Sequence, residues 1–266
     1  MSLEIPSNPL PTSVAAEMDG NVAILTLSRA DKRNAIDDTM IAGIESFFDR
    51  LPDTAMAVVI RAEGDHFSAG LDLSELTKRT THEAIRHSRN WHRVFHQFEF
   101  GRVPVVGVLR GAVVGGGLEL AAACHIRVAE RSAYYALPEG SRGIFVGGGG
   151  SVRISRLIGT SRVMEMMMTG RTYDAEDGLR MGLSHYVVEP GAGFDKAMLL
   201  ARQVATNAPL TNFALIQALP RIAEGSSESG YLMESLMSAI ASGDGEAQSR
   251  LQEFFAKRGP KVTRNH

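Results

Sequence analysis

The chain of 266 residues carries 28 Lys and Arg against 30 Asp and Glu, a formal charge of −2, with 44% hydrophobic residues and 27 glycines. Fibrous and disordered classes are excluded, and the length predicts burial of roughly three quarters of the unfolded surface in one large domain or a domain with an appendage. The near-neutral balance gives no global basic field for nucleic acid or an anionic membrane, so an anionic ligand must be met locally.

Cys124 is the single cysteine, which excludes an intramolecular disulfide framework and a Cys-based zinc site. Residues 1–6 show no basic segment followed by an apolar run, and no stretch reaches the length of a membrane span. A cytoplasmic protein is expected. In chain order, 22–27, 57–61 and 103–109 are short apolar, β-branched runs that predict buried strands. Residues 38–50 and 81–98 carry apolar side chains at helical spacing, as at Ile85, Val94, Phe95 and Phe98. The alternation continues with a strand at 126–129, a helix near 162–168 and a strand at 186–188, an α/β pattern. From 195 to 258 long helical segments follow, broken at 225–230 by Gly and Ser; the expected division is a core over 1–195 and a helical region over 196–266.

Two glycine clusters stand out, Gly115-Gly116-Gly117-Leu118-Glu119 and Gly147 to Gly150. Neither completes G-x-G-x-x-G, because Leu120 and Val152 stand where the third glycine is needed, so nucleotide fingerprints are disfavoured. The first cluster opens an Ala- and Leu-rich helix; its exposed amides either donate to an oxygen that becomes anionic during a reaction or serve close strand–helix packing. A second turn, Gly64 to Leu73, is also rich in small residues. Ser68 there misses the G-x-S-x-G nucleophile elbow, since His66 replaces the first glycine. His92 and His96 are four apart on a helix without the accompanying Glu of a zinc protease, and predict a solvated or cavity-lining face. Cys124 reads as a small buried hydrophobe and Asp72 as a turn carboxylate.

Taken together, Leu27-Ser28-Arg29-Ala30-Asp31-Lys32-Arg33-Asn34-Ala35, Phe67-Ser68-Ala69-Gly70-Leu71-Asp72-Leu73, the Gly115 cluster, Pro138-Glu139 with Gly143-Ile144, Thr169-Gly170-Arg171 and the ending at 254–258 resemble the crotonase, or enoyl-CoA hydratase/isomerase, superfamily. The resemblance implies a spiral of ββα units with a C-terminal helical region that makes the contacts of a homotrimer or a hexamer. It implies an acyl-CoA substrate, coenzyme A being part of that substrate rather than a separate cofactor, and neither metal, nucleic acid nor membrane. The backbone amides of Leu71 and Gly116 map onto the oxyanion hole, Glu119 and Glu139 onto the acids of a hydratase, and Gly147 onto a water-positioning amide. Lys32, Arg33, Ala35, Ala69, Asp72 and Leu73 map onto substrate and CoA contacts, with Arg29 nearby and Lys257 in the terminal motif; residues 74–90 map onto the border of the acyl chain. Without the resemblance, Glu119 could equally be a helix-start carboxylate worth ~0.3–1 kcal/mol and Glu139 a solvated turn residue. The activity implied is hydration of a 2-enoyl-CoA; enoyl isomerisation with one glutamate, another acyl-CoA reaction of the family, or a non-catalytic acyl-CoA-binding subunit are the alternatives.

Overall fold

The structure, a computed structural model, describes residues 9–75 and 79–256. The chain runs through β1 (Val14–Asp19), β2 (Val22–Leu27), α1 (Asp38–Asp49), β3 (Ala57–Ala62), α2 (Thr81–Phe100), β4 (Val105–Leu109), β5 (Ala112–Val114), α3 (Gly116–Ala121), β6 (Ile126–Glu130) and β7 (Tyr134–Ala136). It continues through α4 (Gly150–Ile158), α5 (Thr160–Thr169), β8 (Tyr173–Asp174), α6 (Ala175–Met181), β9 (Tyr186–Val188) and α7 (Gly193–Val204). Four further helices follow, α8 (Pro209–Phe213), α9 (Leu219–Glu224), α10 (Ser227–Gly243) and α11 (Gly245–Phe255).

A six-stranded sheet has the order β1-β2-β3-β4-β6-β9, parallel except for the β1–β2 hairpin. Its central strands are apolar along their length because both faces are covered. Leu25, Leu27, Val58, Ile60 and Val105 belong to the core cluster that contains Ile41 and Ile44 of α1 and Val94, Phe95 and Phe98 of α2. The alternate residues Val22, Ile24, Val59, Val106 and Val108 pack with Ala197, Met198, Leu200 and Ala201 of α7. Helix starts follow the local sequence. Asp37 accepts the Met40 amide at the head of α1, and Thr80 with Glu83 forms a reciprocal capping box at α2.

A second, smaller layer positions the site. β5 pairs parallel with β7, and β7 pairs antiparallel with β8. Isolated parallel bridges extend this layer by pairing Ser68 with Val113 and Ile36 with Leu71. Strands β2, β3, β4 and β6 are each followed by a short pairing segment and then a helix, a β-β-α unit repeated around the layer. The parallel pairing of Ser68 with Val113, carried forward three residues on each side, brings Leu71 level with Gly116.

The chain divides into two compact units, Met1–Ala205 and Thr206–His266. The expected division at 195/196 shifts because the apolar face of α7 covers the sheet, which makes this helix part of the first unit. β1, the short strands β5, β7 and β8, and helices α4 and α6 were not legible as elements. The second unit is helical, with a wide π turn at Ala214–Ala218 just before Pro220, which has no amide to continue the regular ladder. No described helix is long and apolar enough to cross a membrane. Residues 1–6 and Lys257, both cited above, lie outside the described residues.

Candidate active site

Two glycine-rich bends approach one another so closely that side chains are excluded. Gly70 has φ +89°, and a Cβ there would stand 2.6 Å from the Val114 carbonyl oxygen and 3.0 Å from the Gly116 nitrogen. A Cβ on Gly116 would stand 2.8 Å from Cζ3 of Trp91 and 3.3 Å from the Leu71 nitrogen. The amides of Leu71 and Gly116 therefore sit side by side, and among the described residues neither has a hydrogen-bond acceptor. Both residues line a cavity of about 590 Å³. Unpaired amides at a shared cavity are donors prepared for an oxygen supplied from outside the protein.

The first bend is held by a network that the sequence did not single out. Asn34 is fully buried in the left-handed region at φ +53°. Its Nδ2 donates to the carbonyls of Glu63 (2.9 Å) and His66 (2.8 Å), and its Oδ1 accepts the Arg29 amide (2.8 Å). Ser68 Oγ donates to the Asn34 carbonyl (2.7 Å) and accepts the Gly70 amide (3.1 Å). The near-elbow serine is thus a buried brace for the bend. Asp72 is a turn carboxylate. Ser74 donates to Oδ1 through its hydroxyl and amide, Arg29 donates to Oδ2, and together they hold the carboxyl down at about 2. Both of its oxygens are held by these partners, and Asp72 is not part of the cavity wall.

The second bend leads into α3, which carries Glu119 inward at 3% exposure. The amides of Gly148 (2.8 Å) and Gly150 (2.7 Å) donate to its Oε1. A Cβ on Gly150 would stand 2.6 Å from Cγ of Glu119, which explains the glycine at that position. Arg153 braces this loop, donating to the Gly148 carbonyl (2.8 Å) and to Glu99 Oε2 (2.6 Å). Burial pushes the Glu119 carboxyl up, against the downward pull of the loop amides.

Glu139 stands on the opposite flank, at the head of the turn Gly140–Arg142 and only 7% exposed. Its Oε1 reaches over the second bend, 2.7 Å from where a Gly115 Cβ would lie, and Oε2 is buried without a partner among the described residues. Burial is the main cause that pushes its carboxyl up to about 7; the charge of Glu119 adds to this, while its own amide and Arg142 oppose it. Two carboxyls and two amides thus line one cavity, with Trp91, Ile85, Ile144, Phe145 and Val146 as apolar wall.

Of the residues marked by the sequence, Ala69, Leu71, Leu73, Gly116, Glu119, Glu139 and Gly147 line this cavity. Lys32 and Arg33 are exposed on the segment after β2, outside the cavity wall, and the Ala35 carbonyl accepts Arg29 Nη1 at 2.6 Å. Gly147 gives its carbonyl to Ser88 Oγ at 2.6 Å. In the segment expected to border an acyl chain, Thr81, Ile85 and Ser88 line the cavity, and 76–78 lie outside the described residues. His92 approaches Ser88 Oγ at 3.4 Å whereas His96 stacks on Phe100, so the two histidines serve different neighbours. Burial pushes the Cys124 thiol up to about 12, the behaviour of an inert core group.

The profile of the enoyl-CoA hydratase/isomerase family matches residues 17–265. A short-chain-enoyl-CoA hydratase of Clostridium acetobutylicum is 31% identical over 212 residues, 79% of this chain and 81% of its own. An (E)-benzylidenesuccinyl-CoA hydratase of Thauera aromatica is 30% identical, with 93% of this chain and 97% of the relative covered. Among solved structures, a Rhodopseudomonas palustris protein provisionally described as an enoyl-CoA hydratase superposes with a TM-score of 0.90 at 54% identity, covering 92% of this chain and 95% of that one. With a profile match over nearly the whole length and the same fold in solved relatives, this chain belongs to the enoyl-CoA hydratase/isomerase, or crotonase, family.

Proposed function

We propose that the protein is a hydro-lyase that adds water across the double bond of a 2-enoyl-CoA. The observation that carries this reading is the convergence of two unpaired amides and two buried carboxyls on one cavity. In this reading the amides of Leu71 and Gly116 take the thioester oxygen and stabilise the enolate as negative charge develops there, worth on the order of 3 kcal/mol per donor. Glu119, with Oε1 fixed by two loop amides, holds a water through Oε2, assisted by the Gly147 amide. The water oxygen bonds to Cβ while its proton passes to Glu119, and Glu139 delivers a proton to Cα. The product is the 3-hydroxyacyl-CoA, and return of the proton from Glu119 to Glu139 through the next water restores the site. A carboxyl raised to about 7 holds a proton over much of the neutral range, which suits Glu139 to the acid role.

Lys32 and Arg33 meet phosphates at the nucleotide end of coenzyme A, near Ala35, while Ala69 and Leu73 flank the thioester arm; no further cofactor enters the reaction. The helical second unit, whose α10 exposes Tyr231, Leu232, Leu236 and Ile240, supplies contacts for a homotrimer or a hexamer. The test follows loss of the conjugated-thioester absorbance with crotonyl-CoA and longer or branched 2-enoyl-CoAs. Glu119→Gln and Glu139→Gln are each expected to lower kcat by about 10²–10⁴. Full activity of Glu119→Gln on a 3-enoyl-CoA would favour isomerisation, and a wild type that binds acyl-CoA thioesters but turns over none of them would favour a binding subunit.

A further inference from the structure

We propose that the acyl group taken by this site ends in a second carboxylate, received by the guanidinium groups of Arg89 and Arg142 beyond the apolar part of the cavity. This rests on the acyl-CoA reading above and names the substrate class within it. Both arginines line the cavity, and among the described residues neither guanidinium has an ion-pair or hydrogen-bond partner. Neighbouring arginines contrast with them. Arg79, on the same wall, lies 3.7 Å from Asp38, and Arg153 beneath the loop is bound to Glu99 and the Gly148 carbonyl. The two unpaired guanidiniums therefore bring uncompensated positive charge to this stretch of the cavity wall.

Their placement assigns them to the acyl end. Arg142 closes the three-residue turn headed by Glu139, and its charge acts on that carboxyl. Arg89 lies on α2 between Ile85 and Trp91, both of the apolar wall, and its charge acts on His92. The same wall includes Phe145, 70% exposed, and Ile144, two residues after Arg142. The cations expected at the nucleotide end, Lys32 and Arg33, belong to a different segment that does not line this cavity. A ligand with its thioester at Leu71 and Gly116 and its double bond between the glutamates therefore extends along the apolar wall toward guanidinium groups, which pair best with a planar carboxylate.

The experiment is calorimetric titration of wild type, Arg89→Gln and Arg142→Gln with three unreactive probes: the mono-CoA thioester of adipic acid, hexanoyl-CoA of equal chain length, and free coenzyme A. Wild type is expected to bind adipoyl-CoA about tenfold or more tighter than hexanoyl-CoA, the gain typical of a charge-assisted hydrogen bond. In each variant with an unchanged melting temperature that ratio falls toward one, and Arg89→Lys recovers part of it. Equal binding of adipoyl-CoA and hexanoyl-CoA by wild type overturns the proposal. So does a uniform loss for all three probes in the variants, which would assign the arginines to coenzyme A phosphates. Because the probes undergo no reaction, failure of hydration chemistry leaves this result readable, and loss of the carboxylate preference leaves the hydration reading standing.

Discussion

The bend at 68–71 and the loop at 147–150 are both short, glycine-rich and aimed at the same cavity, yet they use their backbone in opposite ways. In the bend, with its neighbour at 115–116, the Ser68, Ala69, Gly70 and Gly115 amides find acceptors within the protein while, among the described residues, those of Leu71 and Gly116 stay unpaired. In the loop, Gly148 and Gly150 give their amides to Glu119. One leaves donors open toward the cavity; the other uses donors to fix a carboxyl on the cavity wall. The amount of glycine does not distinguish them. What does is whether an acidic residue lies on the facing helix turn: Glu119 projects toward the loop, whereas among the described residues no carboxylate accepts from the two open amides, Glu139 passing over Gly115 instead.

The sharpest way to break this comparison is to fill the open amide pair. Gly116→Ala adds a methyl 2.8 Å from the Trp91 ring and 3.3 Å from the Leu71 nitrogen. Since Trp91 is buried against Phe95 and cannot yield freely, the two amides must separate. A fall in kcat of about 10²–10³ is expected in the enoyl-CoA assay, with a much smaller change in the affinity of a saturated acyl-CoA. A normal kcat would remove these amides from catalysis.

Emptying the occupied pair is the complementary change. Glu119→Ala leaves the Gly148 and Gly150 amides buried without their acceptor and opens a void beside Ile154, so the loop loses its anchor. Denaturant unfolding is expected to show a loss of about 2–3 kcal/mol. Glu119→Gln, whose carbonyl oxygen still accepts, is expected to retain most of that stability while losing activity. Equal stability of the two variants would show that the amides do not hold this carboxyl.

Motif position marked Glu119 and Glu139 as a pair, and the resemblance implied their roles, Glu119 toward water and Glu139 toward Cα; that both line one cavity only the fold shows. Leu71 and Gly116 were reachable for the same reason: a turn motif specifies amide direction without needing a side chain. Asn34 and Ser68 were inside recognised motifs and still went unassigned, because their partners, Glu63, His66 and the Gly70 amide, are joined by folding rather than spacing. Strands β2, β3, β4 and β6 and helices α1, α2 and α5 read from their apolar runs and spacing, whereas β1 and α4, of similar length, did not. β5, β7 and β8 span three residues or fewer each, too short for any period to register, although they form the layer that sets Leu71 beside Gly116. The fate of α7 illustrates the converse. Its apolar stripe announced a helix, but only the matching face of Val22, Ile24, Val106 and Val108 shows that it closes the sheet.

The two carboxyls give a smaller, pH-dependent effect. Glu139 is raised in the folded protein from an ordinary carboxyl value to about 7, so between roughly pH 4.5 and 7 the folded state binds more proton than the unfolded state. Its contribution to stability is therefore full below that window and declines as pH rises through it, by on the order of 3 kcal/mol. Glu139→Gln is expected to flatten the decline in a series of melts from pH 4.5 to 8. The activity of wild type should fall above about pH 7 as the acid loses its proton, a limb that the variant's residual activity lacks. A wild-type profile without that limb would take the proton-donor role away from Glu139.

The smallest expected effect isolates how the open amides are held. Ser68 touches no cavity wall; it acts through the Asn34 carbonyl and the Gly70 amide, one residue before the Leu71 donor. Ser68→Ala removes both bonds while leaving the backbone pairing of Ser68 with Val113 intact, since that pairing needs no side chain. About 1 kcal/mol of stability should be lost. If the brace only stabilised the fold, kcat would be unchanged below the melting transition. If it aims the Leu71 amide, kcat falls several-fold at constant KM, because transition-state charge depends on donor direction more steeply than ground-state binding does. Ser68→Thr, which keeps the hydroxyl, separates the two: recovery of kcat without full recovery of melting temperature assigns the bond to aim rather than to packing, since the added methyl crowds Gly117, whose own Cβ position lies 2.8 Å from that of Ser68.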